Sequence, residues 1–227
     1  MLLIRQNELF SQISDEEYEQ LQLLHHFKET EKNQYIYFEA HLHNCLYFLK
    51  EGNVKIGYYD KDGNEVIKEV LGKGDVFGQI TLLPNNMEGE FAQAYKSDVS
   101  LCMFRIEEFE KLLVAKPALS IRFTRQIGEK IARLENRMIN LLQKDVRHRL
   151  LYFFYSLIKQ QPELIQDNTF TTVNVLTHED LSKLIASSRQ TVTTMLTQLQ
   201  KEGLVEFSRQ HIKIPDVKRM QKLVSVG

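Results

Sequence analysis

The chain has 227 residues, 43% of them hydrophobic, which is enough apolar material for two compact domains each with its own core. No run approaches the ~20 uninterrupted apolar residues that cross a bilayer, and the N-terminus carries no basic stretch leading into an apolar one, so a cytoplasmic protein without a membrane partner is expected. The net charge is -1, yet residues 145–227 hold 11 Lys and Arg against 8 Asp and Glu while residues 1–144 hold 18 against 22, so the positive end is the half suited to a polyanion.

Residues 15–27 predict a helical lead-in, with Tyr18, Leu21 and Leu24 at helical spacing. Residues 33–106 then read as short strands punctuated by turns: Glu51-Gly52, Asp60-Lys61-Asp62-Gly63-Asn64 and Gly72-Lys73-Gly74-Asp75 separate apolar runs at 45–49, 66–71 and 99–106. Strands at this spacing predict an antiparallel barrel or roll, the N-terminal part of an α+β protein. The two cysteines, Cys45 and Cys102, have no Cys-x-x-Cys partner and read as small core residues, too few for a four-thiolate iron–sulfur cluster. His41 and His43 would share one face of a strand and could hold a metal ion, but exposed strand histidines of no special role are the commoner arrangement and no metal site is assigned.

Beyond Pro117 the period changes, and Ile127, Ile131, Leu134, Met138 and Leu141 alternate spacings of four and three. With Glu129, Lys130, Arg133, Glu135 and Arg137 beside it, this seam predicts a coiled coil between two subunits, the alternative being an amphipathic helix packed on its own domain. The expected division is therefore a roll over 1–116, a dimerisation helix over 117–144 and a third part over 145–227.

In that third part, Thr177 and Asp180 form a capping pair that opens a helix with Leu181, Leu184 and Ile185 inward. A small polar turn at Ala186-Ser187-Ser188 follows, and then a second helix runs through Val192, Met195, Leu196 and Leu199 to Gly203, with Ser187 and Gln190 as a further Ser-x-x-Gln start. Two short helices joined this tightly make a helix-turn-helix whose second helix leaves Arg189, Gln190, Thr193 and Thr194 outward, where the edges of a DNA major groove are read. Arg donates a bidentate pair to guanine, Gln pairs with adenine, and Thr offers a hydroxyl to phosphate or a methyl to thymine. Thr177, Ser187, Ser188 and Thr191, at or beside the helix starts, are candidates to bring backbone N–H groups to phosphates. Leu204-Val205-Glu206-Phe207 and His211-Ile212-Lys213-Ile214 around Ser208-Arg209-Gln210 then read as a two-stranded wing, with Arg209 and Lys213 as backbone contacts.

Ser188-Arg189-Gln190-Thr191-Val192 resembles the S-R-E-T-V of the Crp/Fnr family of bacterial regulators, and Gly74-Asp75-Val76-Phe77-Gly78-Gln79 resembles its G-D-x-F-G-E, so the resemblance spans nearly the whole chain. It implies a cyclic-nucleotide-binding-type roll (jelly-roll-like), a long dimerisation helix and a C-terminal winged helix-turn-helix that recruits or blocks RNA polymerase at a palindromic site on double-stranded DNA. It also implies an effector pocket at Gly78, Gln79, Ile80, Glu90, Phe91, Leu134 and Glu135. Two departures matter. Gln190 and Thr194 stand where the family's reader has an acidic residue and a second Arg, which predicts an altered DNA half-site. Gly89-Glu90 falls where the cyclic AMP binders place an Arg-Ser pair on the cyclic phosphate, with no Arg or Lys from 85 to 93, and Leu134-Glu135 replaces their Thr-Ser pair; cyclic AMP is not the expected effector. The cofactor stays unassigned, and no catalytic signature stands out, with Glu107-Glu108 on a predicted surface helix. The competing reading is a small-molecule-binding roll whose helical tail serves assembly and not DNA binding.

Overall fold

The computed structural model describes residues 10, 25–38, 44–80, 82 and 89–225. It divides into two compact units, Met1–Ile131 and Ala132–Gly227. Among the described residues no helix is long and apolar enough to cross a membrane.

The first unit holds eight described strands: β1 (His25–Thr30), β2 (Tyr35–Phe38), β3 (Cys45–Glu51), β4 (Val54–Tyr59), β5 (Glu65–Leu71), β6 (Val76–Gly78), β7 (Glu90–Ala94) and β8 (Val99–Arg105). They form two antiparallel four-stranded sheets in the orders β1-β8-β3-β6 and β2-β7-β4-β5, the roll expected from the turn spacing. Tyr37, Leu49, Val54, Ile56, Ala92 and Leu101 make one buried apolar cluster. The turns work as their residues suggest: the Asp60 carboxylate accepts from the N–H of Asp62 and Asn64 at 2.9 and 2.8 Å, and Asp75 accepts from Gly72 N–H at 2.8 Å. Gly52 sits at φ 86°, and a Cβ there would lie 2.2 Å from the Asp98 carbonyl, so no other residue fits that turn.

Two expectations need correction here. The lead-in helix does not reach Phe27, because His25–Thr30 is strand β1, paired residue for residue with β8. Nothing in its own pattern marks it: Phe27 stays half exposed under the Lys50 ammonium, and the strand is held by an edge supplied from 75 residues away. Tyr18, Leu21, Leu24, His41 and His43 lie outside the described residues. The run at 99–106 also breaks one residue early: Ile106 opens helix α1 (Ile106–Ala115), which buries Ile106, Phe109 and Leu112 and places Glu107 and Glu108 in its first turn, where the helix dipole favours them.

Helix α2 (Pro117–Gln143) is 27 residues long. Its start buries Leu119 and Phe123 in a cluster with Phe48, Phe104 and Phe109, with Ile127 packed against it. Farther on, Ile131, Leu134, Met138, Ile139 and Leu142 are all exposed. The flanking charges are not all free for a partner subunit, since Lys130 pairs with Glu69 of β5 at 2.9 Å.

The second unit continues with α3 (Val146–Gln160), capped by the Asp145 carboxylate on His148 N–H at 2.7 Å. Strands β9 (Ile165–Gln166) and β10 (Thr169–Val173), helices α4 (His178–Leu184) and α5 (Arg189–Lys201), strands β11 (Glu206–Phe207) and β12 (His211–Ile214), and helix α6 (Val217–Ser225) follow. Leu150, Phe154, Phe170, Leu181, Val192, Leu196, Ile212 and Met220 share one core. The expected two-stranded wing is part of a larger sheet, ordered β11-β12-β10-β9. The missed hairpin turns on Asp167 and Asn168, both at positive φ (46° and 65°), and the β-branched and aromatic run Thr169-Phe170-Thr171-Thr172-Val173 was its signal.

Candidate nucleic-acid interface

Helix α4 starts where Thr177 and Asp180 close a complete capping box: Asp180 N–H donates to Thr177 Oγ1 at 3.1 Å, and Thr177 N–H donates to the Asp180 carboxylate at 2.7 Å. The Thr177 hydroxyl also donates to that carboxylate, at 2.6 Å, so its proton is spent inside the motif. The turn is made by Ala186 at φ 51° and by Ser187 N–H on the Ser182 carbonyl at 2.9 Å. The second helix is capped by Ser188, whose oxygen accepts from Thr191 N–H at 3.1 Å. Ser187 belongs to the turn and does not cap α5, because the chain is still closing back on α4 at that residue.

Val192, Leu196 and Leu199 bury one face of α5 and leave Arg189, Gln190, Thr193 and Thr194 exposed together at its N-terminal end. The side chains of Arg189 and Gln190 have no hydrogen bond or ion pair among the described residues. The threonines differ. Thr193 donates its hydroxyl proton to the Arg189 carbonyl at 2.9 Å, Thr194 does so to Gln190 at 3.1 Å, and the Thr191 hydroxyl lies 2.8 Å from Ser188 Oγ. What Thr193 and Thr194 present outward is therefore a methyl group and an oxygen that can only accept.

His178, which the sequence reading did not single out, places Nδ1 2.8 Å from Thr193 Oγ1. Because the threonine proton is directed at the Arg189 carbonyl, Nδ1 is the donor. The same ring packs 5.4 Å from the Phe207 ring at the base of the wing, so one side chain joins both helices and the hairpin. At the wing itself Arg209 is exposed on the turn, whereas Lys213 pairs with Glu206 across the strands at 2.9 Å. Both partners of that pair are well exposed, and such pairs open at little cost.

The residues implied for an effector pocket are only partly brought together. Gly78 ends β6 at φ 85°, with the space of a Cβ occupied by the Cys45 carbonyl 2.6 Å away. Gln79 is buried beside it, with its N–H on that carbonyl at 3.0 Å, and Ile80 is half-buried. Glu90 is 3% exposed and turned into the roll, where it pairs with the Lys68 ammonium and accepts from Tyr37 Oη at 3.2 Å. Burial and the Glu90 charge push the Tyr37 hydroxyl far above its ordinary range, so it stays protonated as the donor. Lys68, which lies outside the 85–93 stretch, comes from β5, two strands across the sheet from Glu90. Phe91 faces the other way, against Tyr35 and Tyr59 with ring centroids 5.6 and 5.2 Å apart, as alternation along a strand requires. Leu134 and Glu135 belong to the second unit and are exposed there. Cys45 and Cys102 are buried, and burial raises both thiols above their ordinary range.

Comparison with known proteins agrees with this anatomy. Residues 27–116 match the model of the cyclic nucleotide-binding domain and residues 148–223 match that of the Crp-like helix-turn-helix domain. The chain is 28% identical to the global nitrogen regulator of a Nostoc species over 81% of its own length and 82% of the relative's. It is 24% identical to the anaerobic regulatory protein of Bacillus subtilis, over 86% and 82%. Among solved structures, a variant of CooA from Carboxydothermus hydrogenoformans shares the fold with a TM-score of 0.73 at 22% identity, over 93% of this chain and 92% of that one. A nucleotide-binding-type roll and a capped reader helix, matched in this order along one chain, place it in the Crp/Fnr family of DNA-binding transcription regulators.

Proposed function

We propose that the protein acts as a homodimer on palindromic double-stranded DNA, each subunit laying α5 in the major groove and its wing along the backbone. The observation that carries this is the exposed Arg189-Gln190 pair at the start of a capped, well-packed helix, with no internal partner among the described residues. Arg189 reads guanine and Gln190 adenine; Thr193 and Thr194, their hydroxyl protons already committed, offer methyl contacts to thymine. Thr177, Ser187, Ser188, Thr191, Arg209 and Lys213 flank them as phosphate contacts. The apolar face of α2 through Ile127, Ile131, Leu134, Met138 and Leu141 is the dimer seam, with Ile131, Leu134 and Met138 exposed and Ile127 and Leu141 half-buried. Division into a roll over 1–116, this helix over 117–144 and the reader over 145–227 follows, as does RNA polymerase as the partner at promoters.

The roll is gated by an effector other than cyclic AMP. Where the cyclic phosphate would need a free cation, the Lys68 ammonium already holds the chain's own Glu90 carboxylate. Gly78, Gln79, Ile80 and Glu90 mark that region. Selection of binding sites from random duplexes tests the proposal. The expected product is a palindrome with half-sites one helical turn, ~34 Å, apart and with a sequence other than TGTGA/TCACA. Recovery of that familiar sequence would count against the altered half-site expected from Gln190 and Thr194, and failure to enrich any sequence would favour an assembly role for the helical part.

A further inference from the structure

The carbonyl end of α4, the first helix of the reader, is fully accounted for, and two arginines do part of the accounting. The Leu181 carbonyl accepts Ile185 N–H at 3.1 Å, Ser182 accepts Ser187 N–H at 2.9 Å, and Lys183 accepts Ala186 N–H at 3.4 Å. That leaves the carbonyls of Leu184, Ile185 and Ala186 beyond reach of the turn's own N–H groups, as a helix end always leaves some. Arg137 Nη2, from α2, donates to Leu184 at 2.8 Å. Arg149 Nη1, from α3, donates to Ile185 at 2.8 Å and to Ala186 at 3.1 Å. Both guanidiniums meet a helix C-terminus, where the aligned peptide dipoles favour positive charge.

The two arginines differ in what they join. Arg149 stands on α3, inside the reader's own core region, so its bonds fasten one part of the reader to another. Arg137 stands on α2, one residue before Met138 and three after Leu134, in the middle of the exposed apolar stripe. Its bond runs directly from the helix that carries the seam to the last residue of α4, immediately before the turn that leads into the reading helix α5. A hydrogen bond of 2.8 Å tolerates only a few tenths of an ångström before it weakens. A rotation of α2 about its axis, as a change in seam packing would cause, must either carry α4 along or break this contact.

We propose that Arg137 is a positioning residue that fixes the angle of the reader against the dimerisation helix, and so sets the separation of the two reading helices in a dimer. This inference rests on the dimeric DNA-binding reading given above. It predicts a loss that depends on whether one or both readers must be in register.

The full-length protein is assayed by fluorescence anisotropy on two duplexes: the palindrome selected by the wild type, and the same duplex with one half-site replaced. Arg137→Ala is expected to weaken binding to the palindrome about tenfold, the range of one hydrogen bond from a charged donor, while binding to the single half-site stays within about twofold. The variant should still sediment as a dimer, and Arg137→Lys should recover part of the loss. Arg149→Ala, acting inside the reader, should weaken both duplexes alike. An equal loss on both duplexes for Arg137→Ala would show a merely structural contact and overturn the proposal, as would no loss on either. If Arg137→Ala melts below the assay temperature, Arg137→Lys decides on the same comparison. A wild-type chain that binds no duplex at all removes the DNA-binding reading itself, and the coupling with it.

Discussion

Arg189 and Gln190 are exposed, adjacent and free of internal partners among the described residues, while the Thr193 and Thr194 hydroxyls are bonded to backbone carbonyls and the Thr191 hydroxyl to Ser188 Oγ. That contrast makes Arg189 and Gln190 the candidates for polar contacts to base edges and leaves the threonines their methyl groups. Arg189→Ala is expected to cost about 1–3 kcal/mol of specific binding and to relax preference at a single base position, because a bidentate contact is lost and nothing in the protein is left unpaired. Quantitative binding to duplexes varied one base pair at a time checks this; a loss spread evenly over all positions would make Arg189 a phosphate contact instead. The reading candidates were legible in the sequence because capping residues and apolar spacing set the helix phase, which in turn decides what faces outward. His178 was not legible, since its value lies in reaching Thr193 and Phe207 at once, and no local pattern encodes a contact across 15 and 29 positions. Glu90 was legible as a carboxylate in the wrong place for a phosphate, but its counter-ion Lys68 sits 22 positions earlier and becomes a neighbour only when β5 pairs with β4 and β4 with β7.

At the scale of elements, the helices with internal signals were the readable ones. The boxed start of α4, the serine cap of α5 and the aspartate cap of α3 all appear where Ser, Thr or Asp precedes an apolar periodic run. Strand β1 was misread because its stability comes from β8, and β9 with β10 went unread because a two-residue turn of Asp and Asn at positive φ looks like an irregular loop in one dimension. The last helix shows how a cap can be tested. Asp216 accepts from Arg219 N–H at 2.9 Å and from the Asn168 amide at 2.9 Å, and these bonds hold its carboxyl below the ordinary range. Glu202 is likewise lowered, chiefly by its bonds from Arg147. A carboxyl depressed in the folded state stabilises it fully above the unfolded value, about pH 3.9 for Asp, and loses that contribution as pH falls through the folded value. Thermal melts between pH 6 and pH 3 should therefore show the wild type losing stability on acidification at the low end, with a shallower loss in Asp216→Asn. Parallel curves for the two proteins would remove Asp216 from the acid response.

The molecule as a whole combines a roll that keeps its own anion with a helix that leaves a long apolar stripe uncovered. Ile131, Leu134 and Met138 are each about half exposed, which is costly for a monomer in water and ordinary for a seam awaiting a second copy. Met138→Asp is expected to convert a dimer to monomer in sedimentation velocity while leaving the fold of each unit intact, since Met138 belongs to neither core cluster of the roll nor that of the reader. An unchanged sedimentation coefficient would assign the stripe to something other than self-association. The heptad spacing made Ile131, Leu134 and Met138 readable as an apolar stripe; the exposure of Ile139 and Leu142 was not readable, nor was the inward use of Lys130 and Arg137, whose partners Glu69 and Leu184 stand 61 and 47 positions away.

The most direct test of DNA reading by a dimer is the binding of purified full-length protein to its selected palindrome as salt is raised, with stoichiometry measured on the same samples. Two chains per duplex are predicted, with the logarithm of the affinity falling linearly against the logarithm of salt as phosphate counterions are released, and with a scrambled duplex bound far more weakly at every salt concentration. A single chain binding one half-site at full strength, or equal affinity for the scrambled duplex, would contradict it.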